Sequence, residues 1–350
     1  MKQHELYMYR CLELARLGGG DVAPNPMVGS VLVHEGRIIG EGYHRKYGQS
    51  HAEVNCIKSV KEEDKHLIAK SVIYVSLEPC AHFGKTPPCA DLIIKHKIRT
   101  VVVGCRDPFE QVDGKGIEKL ERAGIDVIKG VLENECKELN KRFFTFHLKK
   151  RPYVILKWAQ SKNQKIANLD FSRVLISNDY TNRLVHKWRS EEAGIMIGTN
   201  TAIRDNPSLN TRNWTGPDPV RLVVDMNLRL PADLQIFDNK QKTIIFNSIK
   251  EEDRGSVLYH KIDKASGLAE NLLEACYALR IQSVLVEGGT KLLQSFMSEQ
   301  LWDEARVIEN SELLIDNGIQ APELSHHSLV ASENISRDVI SYYKINNQQK

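Results

Sequence analysis

Two short stretches of the chain carry donor atoms in a pattern that chemistry can use. They are His51-Ala52-Glu53, and Glu78-Pro79-Cys80 followed by Thr86-Pro87-Pro88-Cys89. Together they offer one imidazole, two thiols and a carboxylate not needed as a ligand. One nitrogen and two sulfurs make the ligand set of a catalytic zinc site, where three protein groups hold the metal and a fourth position is left for water. Glu53, two residues after His51, is close enough to serve that water. A zinc-activated water beside a general acid/base carboxylate is the chemistry of hydrolytic deamination of a nucleobase ring. Two other readings stay open at this level. Cysteines are often buried for packing alone, and His82 could close a structural zinc site as a fourth ligand.

The neighbouring sequence supplies elements to hold these groups. Residues 71–77 (SVIYVSL) are apolar and β-branched and predict a buried strand that ends just before Cys80. Pro87-Pro88 precede residues 89–96, which predict a helix with proline in its first turn. His51 opens a second helical stretch over 52–60. Helix N-termini carry partial positive charge, which lowers thiol pKa and favours thiolate ligands.

His51-Ala52-Glu53 with Pro79-Cys80 and Cys89 resembles the cytidine-deaminase superfamily. There the two cysteines are usually separated by two residues; here eight intervene, Ala-His-Phe-Gly-Lys-Thr-Pro-Pro. With Pro24-Asn25-Pro26-Met27-Val28-Gly29 upstream, that insert resembles the deaminase half of the bifunctional riboflavin-biosynthesis deaminase/reductase family. The resemblance implies zinc held by His51, Cys80 and Cys89, with Glu53 as the catalytic acid/base. It assigns Asn25, His44, His82, Lys85 and Thr86 to substrate. Lys85 suits a phosphate as a point charge, and Asn25 can hydrogen-bond a pyrimidine edge.

At 350 residues the chain is long enough for about two domains. With 27% charged and 41% hydrophobic residues, a sizeable core fits in each half. A net charge of +3 is too weak to argue for nucleic acid or an anionic membrane. Seven cysteines, odd in number and irregularly spaced, point to a reducing compartment, so the expected location is cytoplasmic. Residues 1–17 read as an amphipathic core helix rather than a signal segment. No run of about 18 apolar residues predicts a membrane span.

In chain order, residues 28–33 and 37–43 predict a hairpin. The charged run 61–66 predicts a solvated turn, and 100–105 and 123–127 predict further strands. Strands alternating with helices imply a sheet covered on both faces. Aromatic residues, a basic cluster and a proline over 140–152 mark a domain boundary near 147, giving domains 1–146 and 147–350. The aromatics of that segment are expected to dock on the first domain. The polar tail 346–350 is expected to be disordered.

The second half restarts with a strand over 152–159 and a helix over 178–192 capped by Ser177 or Asn178. Residues 195–198, 220–225, 243–247 and 283–286 predict strands, and 291–299 a helix. Gly288-Gly289-Thr290 sits at a strand-to-helix turn, where backbone N–H groups can approach a phosphate. Two glycines in a turn are structural more often than not, and no GxGxxG fingerprint is present in this region. Read alone, Arg189 is a solvated helix charge and Asp205-Asn206-Pro207 an Asx turn.

Thr199-Asn200-Thr201, Asp205-Asn206-Pro207, Leu209, Arg212 and Glu287-Gly288-Gly289 resemble the riboflavin-pathway reductase domain, which has a dihydrofolate-reductase-like fold and uses NADPH. The resemblance places Ala159, Leu175, Thr201, Asp205, Gly288, Gly289 and Thr290 at the cofactor. It places Arg173, Arg189, Leu209, Arg212 and Glu287 at the phosphorylated substrate. The chain departs from the family pattern at Ser161-Lys162-Asn163-Gln164-Lys165 (family Ser-x-Asp-Gly-Lys) and at Leu175 (family Trp). A third departure is Asp107-Pro108-Phe109-Glu110 (family Asp-Pro-Asn-Pro).

The expected fold is α/β throughout: a cytidine-deaminase-like three-layer α/β/α domain, then a dihydrofolate-reductase-like α/β domain. The expected enzyme binds zinc and NADPH and acts on small phosphorylated pyrimidines, without nucleic acid or membrane, as a homo-oligomer. It would deaminate 2,5-diamino-6-(5-phosphoribosylamino)pyrimidin-4-one and then reduce the ribosyl chain of the product. The competing readings are a deaminase of a polynucleotide base with a nucleic-acid-binding second half, and a zinc-stabilised nucleotide-binding scaffold.

Overall fold

The computed structural model describes residues 2–83, 87–170, 172–263 and 267–346. The chain divides into two compact units, 1–149 and 150–350.

The first unit runs α1 (Lys2–Arg16), β1 (Gly29–His34), β2 (Arg37–Tyr43), α2 (Ala52–Lys58), β3 (Val72–Leu77), α3 (Cys89–Lys95), β4 (Thr100–Cys105), α4 (Lys115–Arg122), β5 (Asp126–Lys129), α5 (Glu133–Leu139) and α6 (Lys141–Lys149). Its sheet has the order β2-β1-β3-β4-β5. The hairpin β1–β2 and the β1–β3 pair are antiparallel; β3–β4 and β4–β5 are parallel. The central strands are nearly continuous apolar runs because both faces are covered. On one face Leu32, Ile73 and Val101 pack with Cys56, Ile93 and Leu120 from α2, α3 and α4. On the other, Val31, Tyr74 and Val102 pack with Met8, Cys11 and Cys136 from α1 and α5. The period-2 alternation of strand side chains thus serves two cores and makes three layers. α2 lies directly on β2: a Cβ at Gly42 would stand 2.2 Å from the backbone nitrogen of Cys56.

The second unit runs β6 (Tyr153–Ser161), β7 (Lys165–Asn168), α7 (Asp179–Glu191), β8 (Gly194–Gly198), α8 (Thr199–Asp205), β9 (Val220–Val224), β10 (Thr243–Asn247), β11 (Glu252–Asp253), β12 (Val257–Lys261), α9 (Leu268–Ala278), β13 (Ser283–Gly288), α10 (Thr290–Ser298), β14 (Glu304–Asn310), β15 (Gly318–Gln320), β16 (His327–Ile335) and β17 (Asp338–Ile345). Ten strands form one sheet, β11-β12-β10-β9-β8-β13-β6-β14-β17-β16, and β7 pairs with β15 apart from it. β13 is inserted between β8 and β6 and runs parallel to both. Asn178 caps α7, its Oδ1 accepting the N–H of Tyr180 and Thr181.

One local expectation changes, and two elements are new. Residues 61–66 are no simple turn: Glu62–Lys70 is 3-10 helical, and Arg37 grips Asp64 with two bonds of 2.7 and 2.8 Å. Segment 140–152 is largely the helix α6, whose Phe143 and Phe146 are buried. The hairpin β16–β17 has no counterpart among the sequence expectations, because β16 is exposed along almost its whole length and carries no apolar period. Of the tail, Asn346 bonds the His326 carbonyl, and 347–350 lie outside the described residues.

Candidate active sites

In the first unit β3 delivers Glu78-Pro79-Cys80 at its C-terminal end, and Cys89 is the first residue of α3, behind the extended Pro88. His51 occupies the cap position of α2 with extended backbone. Its Nδ1 lies 3.5 Å from Cys80 Sγ and 3.4 Å from Cys89 Sγ. The ligand atoms of His51, Cys80 and Cys89 all fall within 4.8 Å of one another. A tetrahedral zinc with bonds of about 2.3 Å to sulfur and about 2.0 Å to nitrogen needs N···S edges of about 3.5 Å, so the donors fit that metal. Among the described residues His82 does not join this group, which removes the reading of a closed site. The Cys89 N–H points at Cys80 Sγ over 3.4 Å. The Cys89 thiol, His51 and that N–H together hold the Cys80 thiol far below its ordinary range, outweighing burial.

Glu53 is one residue into α2 and 3% exposed. Burial pushes its carboxyl up to about 7, against the opposing pull of His51. A carboxyl poised near neutrality can both take and give a proton.

His44 and Asn25 stand beside the cluster. The His44 and His51 rings meet edge to face at 5.5 Å. His44 Nδ1 faces the Ser50 carbonyl at 3.1 Å, so that nitrogen carries the proton and Nε2 accepts from Asn25 Nδ2 at 3.1 Å. Asn25 is thereby oriented with its amide oxygen turned away from His44. His82 meets Phe109 edge-on at 6.0 Å, and its buried Nδ1 has no hydrogen-bond partner among the described residues. The ring of Phe109 also packs on His147 at 5.0 Å, so the family departure at this position forms an aromatic wall. Lys85 and Thr86 lie outside the described residues.

One functional neighbour of this site escaped the sequence reading. Glu78 is buried, and its carboxylate accepts the backbone N–H of Asp107, Gly114, Gly116 and Ile117 at 2.9 to 3.2 Å. It caps α4 and ties the 107–117 loop to the strand end that carries Cys80. Its only sequence signal is an acid directly after an apolar strand.

In the second unit, β8 and β13 are adjacent parallel strands that feed α8 and α10 from their C-terminal ends, where α/β sheets bind ligands. Gly289, at φ +73, is the cap of α10 and offers no side-chain capping bond, so the first N–H groups of that helix can meet an anion. A Cβ at Gly289 would lie 3.3 Å from Thr201 Oγ1, which puts Thr201 against the glycine turn. The turn, Thr201 and Thr290 therefore form one cradle, and it fits a phosphate-bearing dinucleotide.

Beside it Arg189 of α7 forks onto Glu287 of β13 with two 2.8 Å bonds. Arg189 Nη1 also donates to the Asn210 carbonyl at 3.2 Å, and Arg212 Nη1 to Asn210 Oδ1 at 3.1 Å. Arg173 is near enough for its charge to act on Asp205 and Arg212. Arg189, half of a buried pair, is not the solvated helix charge that its position alone suggests. Leu209 is placed differently from the arginines. Its side chain is buried in the core with Ile195, Val223 and Ile245, so only its backbone can face a ligand. Leu175 is exposed in a loop, and Ala159 lies on β6 opposite Ile308.

Two residues here were missed. Lys157 Nζ lies 3.8 Å from Glu287 Oε2, and burial pushes its pKa down against the pull of that carboxylate. A lysine inside the apolar strand YVILKWAQS was the available signal. His186 is buried one turn before Arg189; burial and the charges of Arg189 and Arg212 push it down to about 4, so its imidazole is neutral.

Two family models match the chain: the cytidine and deoxycytidylate deaminase zinc-binding region over residues 1–105, and the RibD C-terminal domain over residues 152–315. The riboflavin biosynthesis protein RibD of Aquifex aeolicus is 37% identical over 97% of this chain and 97% of its own. That of Escherichia coli K12 is 33% identical over 89% of each. A crystal structure of a diaminohydroxyphosphoribosylaminopyrimidine deaminase/5-amino-6-(5-phosphoribosylamino)uracil reductase from Thermotoga maritima superposes with a TM-score of 0.89 at 35% identity, covering 98% of this chain and 99% of that one. Acinetobacter baumannii RibD superposes with a TM-score of 0.90 at 30% identity, covering 99% of each. A deaminase zinc cluster in the first unit, a matching reductase domain in the second and this end-to-end similarity lead to one conclusion: the chain belongs to the RibD family of bifunctional riboflavin-biosynthesis enzymes.

Proposed function

We propose that the first unit hydrolytically deaminates 2,5-diamino-6-(5-phosphoribosylamino)pyrimidin-4-one, and that the second reduces 5-amino-6-(5-phosphoribosylamino)uracil to the ribityl compound with NADPH. The observation that carries the reading is the convergence of His51, Cys80 and Cys89 with a buried Glu53 beside them. His51, Cys80 and Cys89 would hold zinc, which when bound supplies the Lewis acidity that activates a water. Glu53 would take the two protons of the attacking water in turn and hand one to the ring nitrogen and one to the departing amine. Asn25, oriented by His44, hydrogen-bonds the pyrimidine edge, and His82, Lys85 and Thr86 complete the substrate contacts.

In the second unit NADPH supplies a hydride for the ribosyl C1′. Thr201, Asp205, Gly288, Gly289 and Thr290, with Ala159 and Leu175 at the margin, hold the cofactor. Arg189, Arg212 and Arg173 meet the substrate phosphate, where arginine can donate bidentately. Glu287 keeps Arg189 aimed, and Leu209 contributes through its backbone. The domain functions divide near 146/147 in this reading.

The weak net charge supports small phosphorylated pyrimidines rather than a polynucleotide as substrates. Seven cysteines without a disulfide support a cytoplasmic location. The exposed outer strand β16, with Leu329 and Val330 open to solvent, supports a homo-oligomer. The test is incubation with the diaminopyrimidine, with and without NADPH, with products weighed by mass spectrometry. Ammonia release alone should occur without NADPH, and the ribityl product should appear with it. No mass change in either arm would refute the reading.

A further inference from the structure

The 206–212 loop is built with unusual backbone. Asn206 and Leu209 have φ +39 and +51, the left-handed region that side-chain-bearing residues enter only when their surroundings enforce it. Leu209 is driven into the core, 2% exposed, and turns the chain around itself. As a result successive carbonyls point to different partners. The carbonyls of Ser208 and Leu209 turn inward, to Arg221 Nε at 3.0 Å and Gln241 Nε2 at 3.2 Å. The next carbonyl, that of Asn210, turns to Arg189 Nη1 at 3.2 Å, while the Asn210 side chain receives Arg212.

Arg221 is the group beneath this loop. It is the second residue of β9 and is 1% exposed. Its guanidinium binds two separate pieces of chain, the 206–212 loop and the 236–238 segment. Nε takes the Ser208 carbonyl, Nη1 the Ile236 carbonyl at 3.3 Å and Asp238 Oδ1 at 2.7 Å, and Nη2 reaches Asp238 Oδ2 at 3.3 Å. Only a planar fork with several donors can do this at once; a lysine ammonium on the same stem is a single point charge. A second tie, Gln235 N–H to Asn206 Oδ1 at 2.7 Å, links the short 3-10 helix Gln235–Phe237, which carries Ile236, to the start of the loop.

We propose that Arg221, braced by Asp238, is a positioning residue of the reductase substrate site. It holds the Ser208 carbonyl inward so that the Asn210 carbonyl meets Arg189 and Arg212 is presented to the substrate phosphate. Arg221 touches no substrate; it acts through the loop. The proposal rests on the reading above that Arg189 and Arg212 hold that phosphate.

The test uses the full chain and three variants, R221M, R221K and R212A. The KM of each reductase substrate and kcat are measured at saturation of the other, with thermal melts and ammonia release in parallel. R221M is expected to raise the KM for the phosphorylated uracil about tenfold, because a shifted loop would weaken the charge-assisted bond of Arg212 to the phosphate. Its KM for NADPH and its ammonia release should stay unchanged, and R221K should fall between R221M and wild type. A merely structural arginine would lower the melting temperature and the active fraction while leaving KM untouched, and that result in R221M would overturn the proposal. R212A separates the two layers: a raised KM there with none in R221M overturns the positioning role alone. No change in R212A overturns the phosphate assignment and the proposal with it. Should R221M fail to fold, D238N, which keeps the Ser208 bond, is expected to raise the same KM by a smaller factor; a folded D238N with wild-type KM would overturn the role.

Discussion

Arg189 on α7 and Glu287 at the end of β13 meet as a fork, Nε to Oε1 and Nη2 to Oε2 at 2.8 Å each, with side chains 12% and 6% exposed. Burial alone would raise the Glu287 carboxyl, but Arg189 and Lys157 outweigh it and hold it down at about 2. That lies below its ordinary 4.5, so the pair's stabilisation is fully present above pH 4.5 and is lost as pH falls towards 2. Glu287→Gln should flatten the acid limb of the stability curve in that window. At pH 7 it should cost about 3–5 kcal/mol by denaturant unfolding, because Arg189 is left buried without its counter-charge. A wild-type acid limb in this variant would contradict the charge balance described here.

Glu53→Gln should keep zinc and lose deamination by about 10²–10⁴-fold, the usual loss when a general acid/base is removed. Metal content by mass spectrometry and ammonia release by coupled assay check the two halves of this outcome. Near-normal turnover would remove Glu53 from the proton path.

Cys80→Ser and Cys89→Ser should each release zinc and end deamination, because each takes one of two sulfurs from a three-ligand cluster. Both variants should still oxidise NADPH when supplied with the deaminated intermediate. Full zinc retention in both would refute the ligand assignment.

Arg212→Ala should leave ammonia release intact and weaken reduction chiefly through the substrate KM. The loss of one phosphate contact corresponds to about 10–100-fold, at about 1.4 kcal/mol per tenfold. Initial rates of NADPH oxidation across substrate concentration decide this. A wild-type KM would show that the phosphate binds elsewhere.

The parts of this protein legible in the sequence are those whose signal is local. β3, β4 and β6 read as strands because their apolar runs are continuous, and α7 because Asn178 caps it. The metal cluster was legible because donor type carries its meaning without geometry: an imidazole, two thiols and a nearby carboxylate, placed at helix starts and a strand end. The glycine turn after Glu287 was visible as a turn, and its cofactor role came through family resemblance.

What only the tertiary structure decided depends on partners distant in sequence. Arg189 reads as a solvated charge until α7 is laid beside β13 and Glu287 is found 98 residues away. That Leu209 can offer a ligand only its backbone shows once its left-handed conformation turns the side chain into the core. Glu78 and Arg221 have no motif, because their value lies in several backbone groups gathered from separate segments. The hairpin β16–β17 lacked a pattern because β16, exposed along most of its length, has no buried face to impose one. Local chemistry thus named the reactive groups, while burial and long-range pairing, which no short stretch encodes, set their orientation and charge.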